Sequence, residues 1–445
     1  MLCEMKSFVK KRNIPSIRDF IQKNYDEIYC IIDTLNNKDL YEISLDYHLR
    51  KMTWVSFIVS IYSLIANGFE LSKEYSRAIE SYKKLISLEY FGVHSRRGDW
   101  YERLTCILAI NDKPSTIAYL KMAIDQKGIC LKKQYKLIRR FLGLIKKNKI
   151  FQTEENAKYK ESCLNIIDFG IHKEKDFVGK MISNCNIDEM MQKNSMYMLE
   201  LSESQETKSS SYISELSIEQ ECITRVEEYA LKKYLAMNIY NKGIHSENST
   251  LTFYSGLLFW NEIYYDFIDL LTANDNGNKE DKHVFLSPFQ SLPLDFFSND
   301  FYDKRSEIFD KKIEFLIGLP EEGFLQFLKS SYQEHCNHLS GWVNWDMFES
   351  VDDVLSLAKC FGSKKLVNIS AELIRNPHCL RSGMPDLILW NNTTYEYTFS
   401  EIKSTNDVLS DKQRNWIDIL NRHSITVEVC YVNRKRKKPN AVDAK

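Results

Sequence analysis

Three residues near the C-terminus have the types and the spacing to assist phosphodiester hydrolysis. Asp386 precedes the apolar run 387–390, which predicts a short strand, and a return strand is predicted at 395–403. Because side chains alternate along a strand, Glu401 and Lys403 must project to the same side. A hairpin places the start of its first strand beside the end of its second, so Asp386 can approach Glu401.

Two carboxylates that meet at a strand end can bind a hard divalent cation such as Mg²⁺. The carbonyl group of Ile402, which lies between the two site residues of the second strand, can supply a further oxygen. A neighbouring lysine can orient an attacking water or stabilise negative charge that develops on a phosphate. Acidic and basic residues are common on strand edges, so the same residues are equally compatible with a solvated surface.

The residues that follow predict the elements that position this site. Residues 410–413 read Ser-Asp-Lys-Gln, which fits the capping box that starts a helix. Lys412 then lies in the first helical turn, where free backbone N–H groups favour a phosphate. The helix would pack on the sheet through Trp416, Ile417 and Leu420, and residues 425–432 alternate as a last strand. The order from Asp386 is therefore strand, strand, helix, strand.

The rest of the chain predicts mostly helices. Residues 1–145 carry apolar side chains at helical spacing, as in 74–90 and 115–126, and loosely paired helices favour a tetratricopeptide-like (TPR-like) array over an irregular bundle. Residues 146–220 are polar and end in the linker-like stretch SESQETKSSS. Helices are predicted again at 222–240, 350–361 and 364–375.

Composition sets broad limits on the class of protein. The chain has 445 residues, with 60 Lys and Arg against 61 Asp and Glu, so its net charge indicates no partner. Its eleven cysteines include no C-x-x-C pair, which favours a reducing compartment over a disulfide framework or a zinc finger. No secretory signal is recognised, and the apolar run 54–66 is too short to span a bilayer. We expect a soluble, intracellular protein with no membrane partner.

The segments RSGMPDLILW, SEIKSTNDVLSDKQRNW and ITVEVCYV resemble the PD-(D/E)xK nuclease superfamily and, within it, the VRR-NUC domain of the Fanconi-associated nuclease family. The resemblance extends to VEEYALKKY, GIHSENS, GLLFWNEIYYD, FQSLPLDFF, WVNWDMFES and RRGDWYERL, and covers roughly 50–145 and 222–433. It implies an α+β fold. A helical TPR-like region that binds DNA junctions (1–145) and a variable polar segment with a linker (146–220) would precede the VRR-NUC domain (221–433), and a basic tail (434–445) would follow it.

The resemblance also assigns roles to residues. Asp386 and Glu401 match metal-binding acids, Lys403 matches the catalytic lysine, Glu247 matches a further metal-binding acid and Gln290 matches a polar residue of the same site. The implied cofactor is one or two Mg²⁺ or Mn²⁺ ions.

Family resemblance implies that the chain cleaves branched DNA near a 5′ flap, degrades DNA from 5′ to 3′, and acts on crosslinked DNA in the nucleus. Arg97 and Lys412 match a pocket for the 5′-terminal phosphate, and Arg96 and Arg381 are plausible neighbours. The chain departs from larger relatives because it has no zinc-finger pattern, which puts ubiquitin-mediated recruitment in doubt. It also has Gly128-Ile-Cys130 near the place of a pocket histidine.

Two other functions remain open at this stage. A non-catalytic scaffold that binds DNA junctions or proteins could have kept the fold, although it would not need all four charged site residues. A Holliday-junction resolvase of the same superfamily is the other alternative. The tail sequence RKRKKP is a nuclear localisation signal, a DNA-contacting arm or a disordered solvated segment.

Overall fold

The computed structural model describes residues 1–35, 53–88, 94–126, 129–166, 173–178, 180–181, 196–199, 222–246, 248–265, 284–298, 301–405 and 407–433. Two compact units make up the chain. The helical unit comprises Met1–Ile167, Asn261–Asp310 and Ile374–Cys379, and the sheet unit comprises Asp168–Trp260, Lys311–Leu373 and Leu380–Lys445. Both units are therefore assembled from segments that lie far apart in sequence.

Within the described residues, eight α-helices precede the first strand. They are α1 (Leu2–Lys11), α2 (Ile14–Thr34), α3 (Trp54–Leu71), α4 (Tyr75–Ser87), α5 (His94–Asn111), α6 (Lys113–Asp125), α7 (Leu131–Lys147) and α8 (Glu154–Ile166). From α3 to α7 each helix packs mainly against its neighbours in the chain, as a TPR-like array requires. The predicted stretch 74–90 forms α4, with Ala78, Tyr82 and Leu85 buried.

Helix α3 is longer than the apolar run predicted. It spans 18 residues, and within the part of the chain that the structure describes it is the one helix long and apolar enough to cross a bilayer. The core helix of a soluble protein passes the same test, and α3 buries Val59, Tyr62, Ile65 and Phe69 in the core of the helical unit. Its apolar character is therefore explained by packing against α1, α2 and α4.

A buried ion pair organises the later part of the helical unit. Asp295 accepts two hydrogen bonds from the guanidinium of Arg305, at 2.7 and 3.1 Å, and both side chains are almost fully buried. The Arg305 guanidinium also lies 4.3 Å from the ring centre of Phe301. A bidentate pair of this kind holds the segment around residues 295–305 in one arrangement.

The described part of the sheet unit contains eight strands in two sheets: β1 (Lys173–Phe177), β2 (Lys180–Met181), β3 (Met196–Leu199), β4 (Cys222–Arg225), β5 (Lys242–His245), β6 (Leu387–Trp390), β7 (Tyr397–Lys403) and β8 (Val427–Val432). The five-stranded sheet has the order β1-β8-β7-β6-β5, and β2-β3-β4 form a small antiparallel sheet. In the larger sheet β8 is parallel to both β1 and β7, whereas β5, β6 and β7 pair antiparallel.

Helices cover both faces of the larger sheet. Within the described residues the helices that follow β4 are α9 (Val226–Ala236), α10 (Thr250–Leu258), α11 (Trp260–Ile263), α12 (Ser306–Gly318), α13 (Glu321–His335), α14 (Val351–Phe361), α15 (Ser363–Arg375), α16 (Pro377–Leu380) and α17 (Asp411–Arg422). Helix α9 packs on the face that carries Ile402 and Cys430, and α14 packs on the opposite face through Phe361, Tyr397 and Phe399. The predicted order strand, strand, helix, strand after Asp386 is confirmed.

Several local predictions need correction. The helix predicted at 222–240 is a strand, β4, followed by the shorter helix α9. The polar segment 146–220 contributes α8 and the strands β1, β2 and β3, and β1 joins the main sheet. Strand β1 reads KEKDF, and its charged side chains suit an exposed sheet edge but hide the strand in the sequence. The stretch 202–211 lies outside the described residues.

In the hairpin turn between β6 and β7, Tyr395 has a positive φ of 59°, whereas Asn391 and Asn392 do not. The Asn391 side chain instead accepts hydrogen bonds from the backbone N–H groups of Thr393 and Thr394. An asparagine that binds the backbone ahead of it makes a turn without a left-handed conformation of its own.

Candidate active site

The end of the β6–β7 ladder brings the first two predicted site residues together. The last paired residues are Leu387 and Ser400, and Asp386 lies one step further, opposite Glu401. There the backbone N–H of Ile402 donates to Asp386 Oδ2 over 2.7 Å. The backbone carbonyl of Asp386 accepts from the N–H of Ser246, also at 2.7 Å, so the residue is held from both sides.

Glu401 is the most buried member of the site, with 1% of its surface exposed. Its Oε1 atom accepts from Lys403 Nζ at 2.6 Å and from the side-chain amide of Gln413. Its Oε2 atom is buried and has no hydrogen-bond partner among the described residues. A buried carboxylate oxygen without a donor, facing a second carboxylate, suits a cation as its partner. The residues therefore fit a divalent metal ion.

Burial and mutual repulsion disfavour ionisation of both acids. Desolvation, reinforced by the nearby Asp386 charge, raises the pKa of Glu401 to about 8. Desolvation also raises the pKa of Asp386, against the opposing effects of the Ile402 N–H and Lys403. In the metal-free protein, a proton on the pair therefore reduces the negative charge that a bound cation would otherwise neutralise.

Helix α17 connects Glu401 to a helix start. The predicted capping box is present: Ser410 Oγ accepts from the Gln413 N–H, and Gln413 Oε1 accepts from the Ser410 N–H. The other end of the same Gln413 amide donates to Glu401. Through Gln413, the first turn of α17 is hydrogen-bonded to the Glu401 carboxylate. The sequence analysis did not predict this role of Gln413. The signal was available, because the capping box already required Gln413 to point back towards the strand end.

Lys412 and Arg381 lie near this helix start. Both side chains are exposed. Gly383, which follows Arg381 closely, has φ +98°, and a Cβ atom on it would come within 2.6 Å of Lys412 Cβ and 3.0 Å of the Lys412 backbone carbon. Glycine at 383 is therefore what lets the loop before Asp386 lie against the first turn of α17.

The further acid expected from the family resemblance, Glu247, lies outside the described residues. The residues on either side of it are described and both reach the same loop. Ser246 binds the Asp386 carbonyl, and Asn248 Oδ1 accepts from the Met384 N–H at 2.9 Å. Among the residues that the structure describes, no group of three or more His, Cys, Asp or Glu side chains is arranged to hold a metal.

Gln290 belongs to the helical unit, where its amide organises a loop. Its Nε2 atom donates to the carbonyls of Val284 and Leu292, and its Oε1 atom accepts from the Leu286 N–H. These contacts give Gln290 a structural role of its own within residues 284–292.

Two of the three arginines predicted to bind phosphate, Arg96 and Arg97, also belong to the helical unit, in α5. Arg97 is 7% exposed, and its guanidinium donates to the carbonyl of Leu88. Arg96 is exposed and donates to Ser60 Oγ. Arg97 therefore already serves the packing of α5, whereas Arg96 is more exposed.

Comparison with known proteins agrees with the geometry. The model of the VRR-NUC domain matches residues 320–434. The chain is 30% identical over 207 residues to Fanconi-associated nuclease 1 of Danio rerio and of Homo sapiens, and 26% identical over 435 residues to the homolog of Schizosaccharomyces pombe. The last match covers 93% of this chain.

The chain therefore contains a VRR-NUC domain and is similar to Fanconi-associated nucleases. It spans only part of its relatives: the matches cover 20% and 19% of the zebrafish and human proteins and 55% of the fission yeast homolog. A crystal structure of paFAN1 bound to gapped DNA with a 1-nucleotide 5′ flap has a similar fold, with a TM-score of 0.50 and 16% identity. That match covers 92% of this chain and 63% of paFAN1, and it confirms the helical region followed by a nuclease-type domain.

The raised pKa of Glu401 predicts an unusual dependence of stability on pH. In the unfolded chain the carboxyl group loses its proton near pH 4.5, whereas in the folded, metal-free protein it keeps the proton up to about pH 8. The folded state therefore binds more protons in this window. We expect the free energy of unfolding in EDTA to fall as pH rises from 5 to 8, by at most about 1.4 kcal/mol per pH unit.

Urea unfolding at pH 5, 6.5 and 8 measures this slope. Glu401→Gln removes the titrating group and should flatten it, whereas Asp352→Asn, which changes an exposed carboxylate of α14, should leave it as in the wild type. Equal slopes for the wild type and Glu401→Gln would contradict the assignment. Added Mg²⁺ should restore stability to the wild type at pH 8, because a cation replaces the proton.

Proposed function

We propose that this chain is a metal-dependent, structure-selective DNA nuclease that cleaves 5′-flap-like branched DNA and degrades DNA from 5′ to 3′, in the repair of interstrand crosslinks in the nucleus. The observation that carries the proposal is the contact of Asp386, Glu401 and Lys403 at one strand end, inside the region that matches the VRR-NUC domain. A scaffold that only binds DNA would have no use for a buried pair of acids whose shared environment resists ionisation.

Asp386 and Glu401 would hold one or two Mg²⁺ or Mn²⁺ ions, together with the carbonyl oxygen of Ile402 and the carboxylate of Glu247. The hydrogen bonds of Ser246 and Asn248 to the loop before β6 support the place of Glu247 in this set. A bound divalent ion supplies a nucleophilic water at neutral pH and neutralises charge on the scissile phosphate.

The other side chains of the site would orient the two carboxylates and stabilise negative charge on the phosphate. Lys403 holds Glu401 Oε1 from within the sheet edge, and its ammonium group can stabilise negative charge on the phosphate in the transition state. The Ile402 N–H fixes the orientation of Asp386, and the Gln413 amide fixes that of Glu401. Gln290 is proposed as a further polar residue of the site on the strength of the family resemblance alone.

We further propose that Lys412, Arg381, Arg96 and Arg97 bind the 5′-terminal phosphate of a flap. Lys412 is exposed in the first turn of α17, where backbone N–H groups and the helix dipole favour an anion. The related paFAN1 was crystallised with 5′-flap DNA, which motivates the choice of substrate. Residues 1–145 would bind the junction through its phosphate backbone, and residues 221–433 would cut it.

A cleavage assay on labelled 5′-flap, Holliday-junction and linear duplex DNA tests the nuclease. With Mn²⁺ or Mg²⁺ we expect flap cutting to be fastest, and Asp386→Asn and Lys403→Met to slow it by about 10²–10³-fold, since each removes a group that acts on the reacting phosphate. Asp352→Asn is the matched control and should cut at the wild-type rate. Cleavage that persists in EDTA or in Asp386→Asn would refute the metal nuclease, and equal cutting of all three DNAs would refute flap selectivity.

The 5′-phosphate contact predicts a difference between flaps that carry the phosphate and flaps that lack it. We expect the wild type to prefer the phosphorylated flap and Lys412→Ala to reduce that preference about tenfold, the value of one charge-assisted hydrogen bond. Lys364→Ala changes another exposed lysine in a first helical turn, that of α15, and should keep the preference. If Lys412→Ala and Lys364→Ala prefer the phosphorylated flap equally, Lys412 is not part of the pocket.

Gln413→Glu tests the positioning of Glu401. Glutamate can still accept the hydrogen bond of the capping box, but it cannot donate to Glu401 and adds a second negative charge beside it. We expect a loss of at least about tenfold in kcat and a shift of the pH–rate profile to higher pH, because Glu401 becomes harder to ionise. Gln413→Ala should lower stability more and shift the profile less. An unshifted profile in Gln413→Glu would leave Gln413 with a purely structural role.

A further inference from the structure

Two large aromatic side chains are exposed to solvent at the start of α3. Trp54 is 61% exposed, and Phe57, one helical turn further on, is 49% exposed. The other six tryptophans of the chain are buried or partly buried. An exposed aromatic side chain forgoes the free energy that burial would give it, and two such neighbours on one surface indicate a binding site.

Packing within the helical unit does not account for these two residues. The side of α3 that faces the core carries Val59 and Tyr62, and among the described residues neither Trp54 nor Phe57 packs into the core cluster. The start of α3 is held by its N-cap residue Thr53, whose hydroxyl accepts a hydrogen bond from the backbone N–H of the third residue after it. The two rings are therefore dispensable for the helix that carries them.

A guanidinium group follows the two rings on the same ridge of α3. Residues three apart are neighbours on a helix surface, so Phe57 lies between Trp54 and Ser60. Arg96 of α5 donates from Nη1 to Ser60 Oγ over 2.5 Å, and its side chain is exposed. No Asp or Glu occurs in the sequence between Trp54 and Phe69. The ridge therefore presents two aromatic rings followed by a positive charge.

This order of groups matches the parts of a single-stranded nucleic acid. Aromatic rings stack on bases of every type, because each base has a π-face, and arginine binds phosphate through its guanidinium. Asp99, whose charge acts on Arg96, forms an ion pair with Lys133. Its negative charge is thus partly compensated, and an anion can be accepted at Arg96.

We propose that Trp54 and Phe57 form a stacking platform for the unpaired bases of a DNA flap, beside a phosphate bound by Arg96. This inference rests on the function proposed above, and it adds the base to the phosphate as a recognised part of the substrate. Bases of a paired duplex are stacked on one another, so the platform favours an unpaired flap over duplex DNA. It reads no sequence, since stacking requires only a flat ring.

Binding of flap DNA with and without bases tests the platform. The affinity of the full chain for two labelled junctions is measured by fluorescence anisotropy in EDTA, so that no divalent metal supports cleavage. Both junctions carry a 5′-phosphorylated flap of two nucleotides, which are thymidines in one and abasic residues in the other. We expect the wild type to bind the thymidine flap about tenfold more tightly, the size of one stacking interaction between a base and an aromatic side chain.

Three variants separate the platform from other contacts. Trp54→Ala/Phe57→Ala should bind both junctions with the affinity that the wild type has for the abasic flap. Phe315→Ala is the matched control, because Phe315 is 53% exposed on α12, and it should keep the wild-type preference. Arg96→Ala should weaken binding of both junctions by the same factor, since it removes a phosphate contact and no stacking.

Equal binding of the two junctions by the wild type, or binding of neither, would overturn the proposal, and this result depends on the folding of no variant. A preference that survives in Trp54→Ala/Phe57→Ala would overturn it as well. Cleavage of the same junctions is measured separately with Mn²⁺. A wild type that cuts flaps but binds both junctions equally would refute the platform alone, whereas one that prefers the thymidine flap but never cuts would refute the nuclease alone.

Discussion

Burial of the Glu401 carboxylate is the constraint to which the rest of the site responds. Moving a charged carboxylate out of water is costly, and here a second carboxylate lies opposite it. Lys403 and Gln413 offset part of this cost from one side, but both bind the same oxygen. The other oxygen remains without a donor among the described residues. The negative charge of the two carboxylates is therefore only partly compensated, and a divalent cation or a proton would compensate the rest.

This arrangement is possible because the two faces of the sheet carry different side chains. On the face opposite Glu401, Ser400 binds the hydroxyl of Tyr234, which also donates to Glu428 on the neighbouring strand. That network ties β7 to β8 and to α9 next to Glu401. Since a shift of one residue in register would exchange the two faces, it would bury Ser400 where Glu401 now lies. The polar network therefore protects the register on which the site depends.

The sequence by itself determined the elements whose signals are local. Strand alternation predicted that Glu401 and Lys403 share a face, the S-x-x-Q pattern predicted the start of α17, and helical periodicity predicted α14 and α15. These features depend on neighbours within a few residues, so the pattern of residue types is sufficient to recognise them. The family resemblance added the roles of distant residues such as Glu247 and Gln290, which remain predictions.

Only the tertiary structure decided which distant segments meet. It recruited β1 from a polar segment to pair in parallel with β8, turned the region around Gly243 into the edge strand β5, and set the Gln413 amide on Glu401. It also raised the pKa of Glu401, because a pKa depends on burial and on charges brought close by folding. Short edge strands, desolvation and long-range contacts have no local sequence signal, since their energy comes from partners that the chain supplies from elsewhere.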